Sequence, residues 1–200
     1  MGRHREFDVD EALDAALAVF WDKGYEGASL EDLTHATGVA RPGLYSAFGN
    51  KEALFRRVLD RYDAKYMAFM TAALDEPTSR AVVRRILEGS AEVQTLDDRH
   101  RGCLGVNGAL ACSAGAEPIR QELVKRRKAT EAALRTRLNR ARATGDLPRS
   151  ADCAALAGFV MAVSQGMAVQ AKAGASRETL DAIVRHVLAT WPSTIDPEPQ

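Results

Sequence analysis

Residues 29–55, SLEDLTHATGVARPGLYSAFGNKEALF, read as two short helices meeting at a glycine turn, with a third helix starting at once. The Ser29 hydroxyl is placed to cap free backbone N–H groups, with Asp32 three residues on. Leu30, Leu33 and Ala36 then recur at helical spacing as a small apolar face. Gly38 ends that helix, since a C-terminal turn favours a residue that accepts positive φ. Arg41-Pro42 opens the next, because proline is tolerated in a first turn that needs no N–H donor. Leu44 and Phe48 point inward from it. Two short helices crossing at a tight turn, the second with small and polar residues outward, is the helix-turn-helix arrangement that enters the DNA major groove.

The run Gly38-Val39, Leu44-Tyr45, Phe48, Lys51 and Leu54 resembles the TetR/AcrR family of transcriptional repressors, closely over Asp8 to Phe55 and in outline beyond. The resemblance implies a dimer that binds an operator and lets go when a small-molecule effector occupies a helical body. It also implies that Tyr45 and Lys51 hold the DNA backbone.

Outside this stretch nearly every segment has helical period, and strand signals are almost absent. Asp8, with Glu11 in the third position, opens a first helix carrying Val9, Leu13, Ala16, Leu17 and Phe20 on one face as far as Gly24. Asn50 caps a long helix expected to run to about Asp75. Further helices are expected near 78–95, 103–113, 116–144, 151–173 and 177–191, about nine in all. The expected fold is all-α: a three-helix DNA-binding head over 1–49, and a ligand-binding and dimerisation domain over 50–200 joined to it by the long helix. The tail 192–200, which holds three prolines after Trp191, is expected to fray.

Composition bounds the setting. With 200 residues, 46% hydrophobic and 27% charged, the chain can bury one large or two small cores. The start, MGRHREFD, has no apolar stretch behind its basic residues, so no secretory signal is expected. The longest apolar run, Ala154 to Val163, is too short to cross a bilayer. Cys103, Cys112 and Cys153 lack CxxC spacing, which argues against a disulfide framework or zinc site and fits a reducing cytoplasm. His4, His35, His100 and His186 are scattered. No metal cluster, phosphate loop or nucleophile–base–acid set stands out, so neither a cofactor nor an enzymatic activity is expected.

Charge is the difficulty for a DNA-binding reading. The formal net charge is zero, and residues 1–51 carry five cations against nine acids. Phosphate attraction decays over about 8 Å at physiological salt, so local placement outweighs the sum. The first helix is expected to turn Asp10 and Asp14 away from DNA.

On the recognition helix, Arg41 stands in the first turn, where a guanidinium reaches guanine O6 and N7; the bland alternative is a solvated surface arginine. Pro42 and Gly43 lack bulk, which suits close approach to DNA as well as helix initiation. Tyr45 follows the inward Leu44, so its hydroxyl sits at the edge for a phosphate oxygen unless the ring is core. Lys51 opens the next helix, where free N–H groups also favour phosphate. Ser46 and Thr37 are weaker candidates. Arg3 and Arg5 form a short basic arm suited to the minor groove, or simply a loose terminus. Thr34 stands where the family usually has alanine, so its hydroxyl needs a carbonyl partner. Glu31 would repel phosphate.

In the body, the Ala- and Gly-rich segment from Ala154 to Met167 and the apolar stripe of the last helix suit a two-fold dimer through the last two helices, the stripe being in part ordinary core. The basic run Lys125–Lys128, with Arg135, Arg137, Arg140 and Arg142, is expected to be a solvated helix face. The ligand pocket implied by the resemblance could be lined by Tyr66, Met67, Met70, Leu104, Asn107, Phe159 and Met167, each of which could equally be plain core. Cys103 and Cys112 leave open a thiol-based redox regulator on the same fold.

Overall fold

The computed structural model describes residues 7–108, 113–192 and 194. Ten α-helices appear among them: α1 (Val9–Gly27), α2 (Leu30–Thr37), α3 (Arg41–Phe48), α4 (Lys51–Tyr66), α5 (Ala68–Ala72), α6 (Ser79–Gln94), α7 (Leu104–Asn107), α8 (Glu117–Ala143), α9 (Cys153–Lys172) and α10 (Arg177–Ala189). The only extended pairing among the described residues is an isolated bridge between Thr95 and Arg101.

The starts and stops follow local chemistry. Asp8 accepts the N–H groups of Asp10 and Glu11 at the head of α1. Ser29 and Asp32 form a reciprocal capping box on α2, and Asn50 accepts the Ala53 N–H at the head of α4. Helical geometry breaks at Gly24 (φ 70°), although the chain resumes a turn to Gly27. Gly38 ends α2 in the left-handed region (φ 66°).

Three expectations are corrected. The helix from Asn50 does not run to Asp75: it stops at Tyr66, bends at Met67 (φ −111°) and resumes as α5 with a 3-10 turn to Asp75. Neither Tyr66, Met67 nor Ala68 is a helix breaker, so nothing local announced the bend. Ala36 is exposed rather than inward, which leaves Leu33 as the buried residue of α2. The helix expected over 103–113 is described only as Leu104–Asn107, and 109–112 lie outside the described residues.

The chain divides into two compact units: one reaches to Tyr66 and adds Leu104–Leu123, and the other holds Met67–Cys103 and Val124 onward. In the first, α1 and α4 bury Leu17, Phe20 and Trp21 against Phe55, Leu59 and Tyr62. Phe20 meets Phe55 and Trp21 meets Tyr62 edge to face, each at 4.9 Å between centroids, a contact that adds about 0.5–1.5 kcal/mol beyond area burial. Leu33, Leu44 and Phe48 fasten α2 and α3 beneath.

In the second unit, α6, α8, α9 and α10 share one core containing Val83, Ile86, Leu134, Leu138, Val160, Met167, Val184 and Val187. The stripe on α10 is therefore turned into this core, with Leu180, Val184, Val187 and Leu188 all buried. Arg137 departs from the solvated face expected for its segment. It is 8% exposed and donates to the carbonyls of Leu74, Glu76 and Pro77, closing the free C-terminal end of the 3-10 turn.

By length and apolarity α9 could cross a bilayer, with a mean hydropathy of 1.4 over its most apolar window. The ten-residue run weighed from sequence thus understated it. Inside the fold that apolarity has two uses. One face supplies Ala157, Val160 and Met167 to the core; the other exposes Ala155, Phe159, Ala162, Gly166 and Val169 in a single stripe.

Candidate nucleic-acid interface

The α2–Gly38–α3 segment is built so that α3 keeps one face free. Leu44 and Phe48 anchor it, 3% and 5% exposed, and helical spacing then forces Arg41, Pro42, Tyr45 and Ser46 outward, where all four are exposed. Arg41 and Tyr45 stand one turn apart on that face. The Arg41 guanidinium donates to the Tyr45 hydroxyl at 3.2 Å and also lies over its ring. Tyr45 is thus an edge residue rather than core.

The other candidates are more committed. Thr37 donates to the Leu33 carbonyl at 2.7 Å and accepts the Val39 N–H, so its hydroxyl holds the turn. Gly43 is needed for packing: a Cβ there would meet the Val39 side chain at 2.9 Å. The Thr34 hydroxyl finds the Glu31 carbonyl at 2.9 Å, as a threonine in that slot requires. Arg3 and Arg5 lie outside the described residues.

Lys51 opens α4, half-buried, with its ammonium 4.7 Å from the centroid of the Tyr25 ring. Burial holds its pKa below the ordinary lysine value, against the opposite pull of Glu26 and Asp32. Burial likewise pushes the Tyr25 phenol up. The Glu26 carboxylate accepts the Ser113 N–H at 2.9 Å.

Three of the acids counted from sequence, Asp10, Asp14 and Asp32, meet cations. Arg61 on α4 binds Asp14 through two nitrogens and Asp10 through a third contact, and its hydrogen bonds hold the Asp14 carboxyl below the usual range. Lys23 binds Asp32, whose carboxyl is held well down by that contact and by the Ser29 cap. Residues 1–51 taken alone missed Arg61 because its partners are 47 and 51 positions away. Sequence reading also missed Arg57. It donates to the Ala47 carbonyl and lies 4.9 Å from the Phe48 ring centroid, steadying the C-terminal turn of α3, where a cation is favoured.

This geometry has known relatives. Residues 12–58 match the model of bacterial regulatory proteins of the tetR family, and residues 79–187 match the tetracyclin repressor-like C-terminal domain. The chain belongs to the TetR family. The HTH-type transcriptional repressor ComR of Escherichia coli K12 is 37% identical, over 97% of this chain and 93% of its own. A cysteine mutant of the TetR family transcriptional regulator CifR, solved with a 26-base-pair double-strand operator, is 41% identical with a TM-score of 0.89, covering 95% of this chain and all of that one. A putative TetR regulator from Rhodococcus sp. RHA1 is 38% identical with a TM-score of 0.64, covering 94% of this chain and all of that one. As a TetR-family member, the chain is a DNA-binding transcriptional regulator.

The seven residues assigned to a ligand pocket fall into different places. Tyr66 meets the Trp21 ring at 4.9 Å, and Asn107 donates to the Trp21 carbonyl. Leu104 is fully buried in the same unit. In the second unit Met167 is core and Met70 packs against that core, and Met67 sits at the bend. Phe159 is 47% exposed on the outer stripe of α9 rather than turned inward. Among the described residues no group of His, Cys, Asp and Glu is placed to hold a metal ion. Cys153 is buried and Cys103 half-buried, while Cys112 lies outside the described residues.

Proposed function

We propose that this protein is a cytoplasmic repressor that binds a palindromic operator as a two-fold dimer and is released when a small molecule enters its second unit. The observation that carries the DNA reading is the free face of α3, where Arg41, Tyr45 and Ser46 stand exposed on a helix anchored from behind. Arg41 contacts a base edge or phosphate; Tyr45, Ser46 and Lys51 hold the backbone, with Pro42 near a thymine methyl. The repressor names of its relatives and the operator in the CifR structure favour the same reading. The protein acts by binding rather than by turnover.

A single α3 reads a short half-site, so two copies with recognition helices about 34–36 Å apart fit the geometry of a duplex. The α9 stripe supports the pairing. Phe159 and Val169, 47% and 49% exposed, alternate with Ala155, Ala162 and Gly166, which let a second helix approach closely. The thiol-switch alternative rests on Cys103, which is half-buried, and on Cys112, which lies outside the described residues.

Selecting bound fragments from the source genome and footprinting the best one tests the proposal. The expected result is a palindrome protected over two successive major-groove faces. Failure to enrich any fragment, or protection of one half-site alone, would overturn it. Light scattering on Phe159→Lys tests the dimer face, with a shift toward monomer expected.

A further inference from the structure

Where the last turn of α1 comes against the start of α4, the DNA reading uses Lys51 and leaves its neighbours unexplained. Helical geometry breaks at Gly24, so Tyr25 and Glu26 sit on a turn whose direction α1 alone does not set. The Tyr25 ring packs on Phe55 with 5.0 Å between centroids and receives the Lys51 ammonium at 4.7 Å. The Glu26 side chain is held by a different segment. It accepts the Ser113 N–H at 2.9 Å, and the Ser113 hydroxyl bonds it too, which together keep the carboxyl below the usual range. The same seam is fastened further back along α1. Asn107 donates to the Trp21 carbonyl, and its own carbonyl would lie 3.5 Å from a Cβ on Gly24.

A glutamate at 26 is disfavoured twice, by the negative end of the helix dipole and by any phosphate that Lys51 holds. The other acids around Lys51 already have cations: Asp32 takes Lys23, and Glu52 takes Arg56. Glu26 makes no ion pair among the described residues, although it and Lys51 attract each other across the turn. With Ser113 in place, that carboxylate is occupied by neutral donors and the ammonium stays on the Tyr25 ring.

We propose that the Ser113–Glu26 contact is a charge latch on DNA binding: while it is closed Lys51 is left for phosphate, and when Ser113 withdraws, the Glu26 carboxylate moves onto the Lys51 ammonium and cancels it. The inference rests on the reading of Lys51 as a phosphate contact and adds how that contact is switched. Ser113 stands four residues ahead of α8, a helix by which the chain passes from the first unit into the second. A rigid helix carries displacement along its length, so an effector in the second unit reaches the latch through the chain itself.

The test is operator affinity of the full chain, with the selected fragment, by fluorescence anisotropy. Ser113 has φ −67° and ψ 168°, a conformation proline shares, so Ser113→Pro removes both donors at little backbone cost. It is expected to weaken binding about two- to fivefold for each head, the span of an ion pair near the surface. Ser113→Ala, which keeps the N–H, should weaken it less. Glu26→Gln keeps an acceptor for Ser113 without the charge, and should bind at least as tightly as the parent. In that background Ser113→Pro should lose its effect, because no charge is released. If the proline variant melts markedly lower than the parent, Ser113→Ala in the same backgrounds carries the comparison. Serine variants that bind like the parent, or a loss that persists with Glu26→Gln, would overturn the latch while leaving the phosphate contact standing. Lys51→Ala reports on that contact by itself: it should bind more weakly, with Ser113→Pro adding nothing. A Lys51→Ala variant equal to the parent would remove the contact and the latch together.

Discussion

The Arg41 guanidinium is held by Tyr45 twice over, through a 3.2 Å hydrogen bond to the hydroxyl and by lying 5.3 Å from the centroid of the same ring. A long side chain on an exposed helix ordinarily loses rotamer freedom when it meets DNA. Here part of that loss is taken before binding.

Tyr45→Phe keeps the ring and removes the acceptor, so the guanidinium is less confined. The expected result is a loss of operator affinity of roughly tenfold or more, since a hydrogen bond to a charged group is worth about 1.5–3 kcal/mol and the same hydroxyl is the one placed for a phosphate oxygen. Arg41→Ala should relax sequence preference instead, whereas Lys51→Ala should weaken specific and random DNA alike and flatten the salt dependence by about one unit. Binding-site selection and salt titrations on the three variants separate these patterns.

Lys51 gives a pH signature. Burial lowers its pKa in the free protein, and a phosphate beside the ammonium would raise it again. Binding should therefore take up a proton between the two values, and operator affinity should fall as pH rises through that window, earlier than an ordinary lysine allows. Fluorescence anisotropy between about pH 8 and 10 at constant ionic strength measures this against a lysine reference near 10.4. Lys51→Arg, charged throughout, should be flat over the same range; a wild-type curve equally flat would remove Lys51 from the phosphate contact.

The helix-turn-helix was legible because its signals are local: a capping pair at Ser29 and Asp32, glycine at the turn, proline in the first turn of α3. Each acts within four residues, and each is where the spacing placed it. Long-range relationships were not legible. Two of the acids counted against DNA binding, Asp10 and Asp14, are opposed by Arg61, which no window around residues 10–14 contains. The stripe on α10 gave no sign of whether it faced its own chain or a copy, because burial reads the same pattern in both cases; α9 carries the outward stripe instead. The bend at Met67 left no mark either, since neither Tyr66, Met67 nor Ala68 disfavours a helix.

The Asp14–Arg61 contact should be visible in acid unfolding. Asp14 has a lowered folded-state pKa, with hydrogen bonding from Arg61 as the chief cause. A depressed carboxylate contributes stability that is full above its unfolded value, near 3.9, and is lost as pH falls through the folded value. Asp14→Asn should thus melt below wild type near pH 7, with the two curves converging as pH drops below about 4. A gap that stays constant with pH would mean that packing, not charge, holds α1 to α4.

Phe69 on α5 lies across Gly89 on α6 so closely that a Cβ there would come within 2.5 Å of the ring. Gly89→Ala therefore has to push the ring aside, although alanine suits a helix interior better by about 1 kcal/mol. Overpacking of this kind costs about 1–3 kcal/mol, so a net loss of stability is expected by denaturant titration. Phe69→Ala removes the obstacle. In that background Gly89→Ala should become neutral or stabilising, so the two substitutions should be strongly non-additive. Additive effects would show that Phe69 does not occupy the space above Gly89 in solution, and that α5 is held against α6 by other contacts.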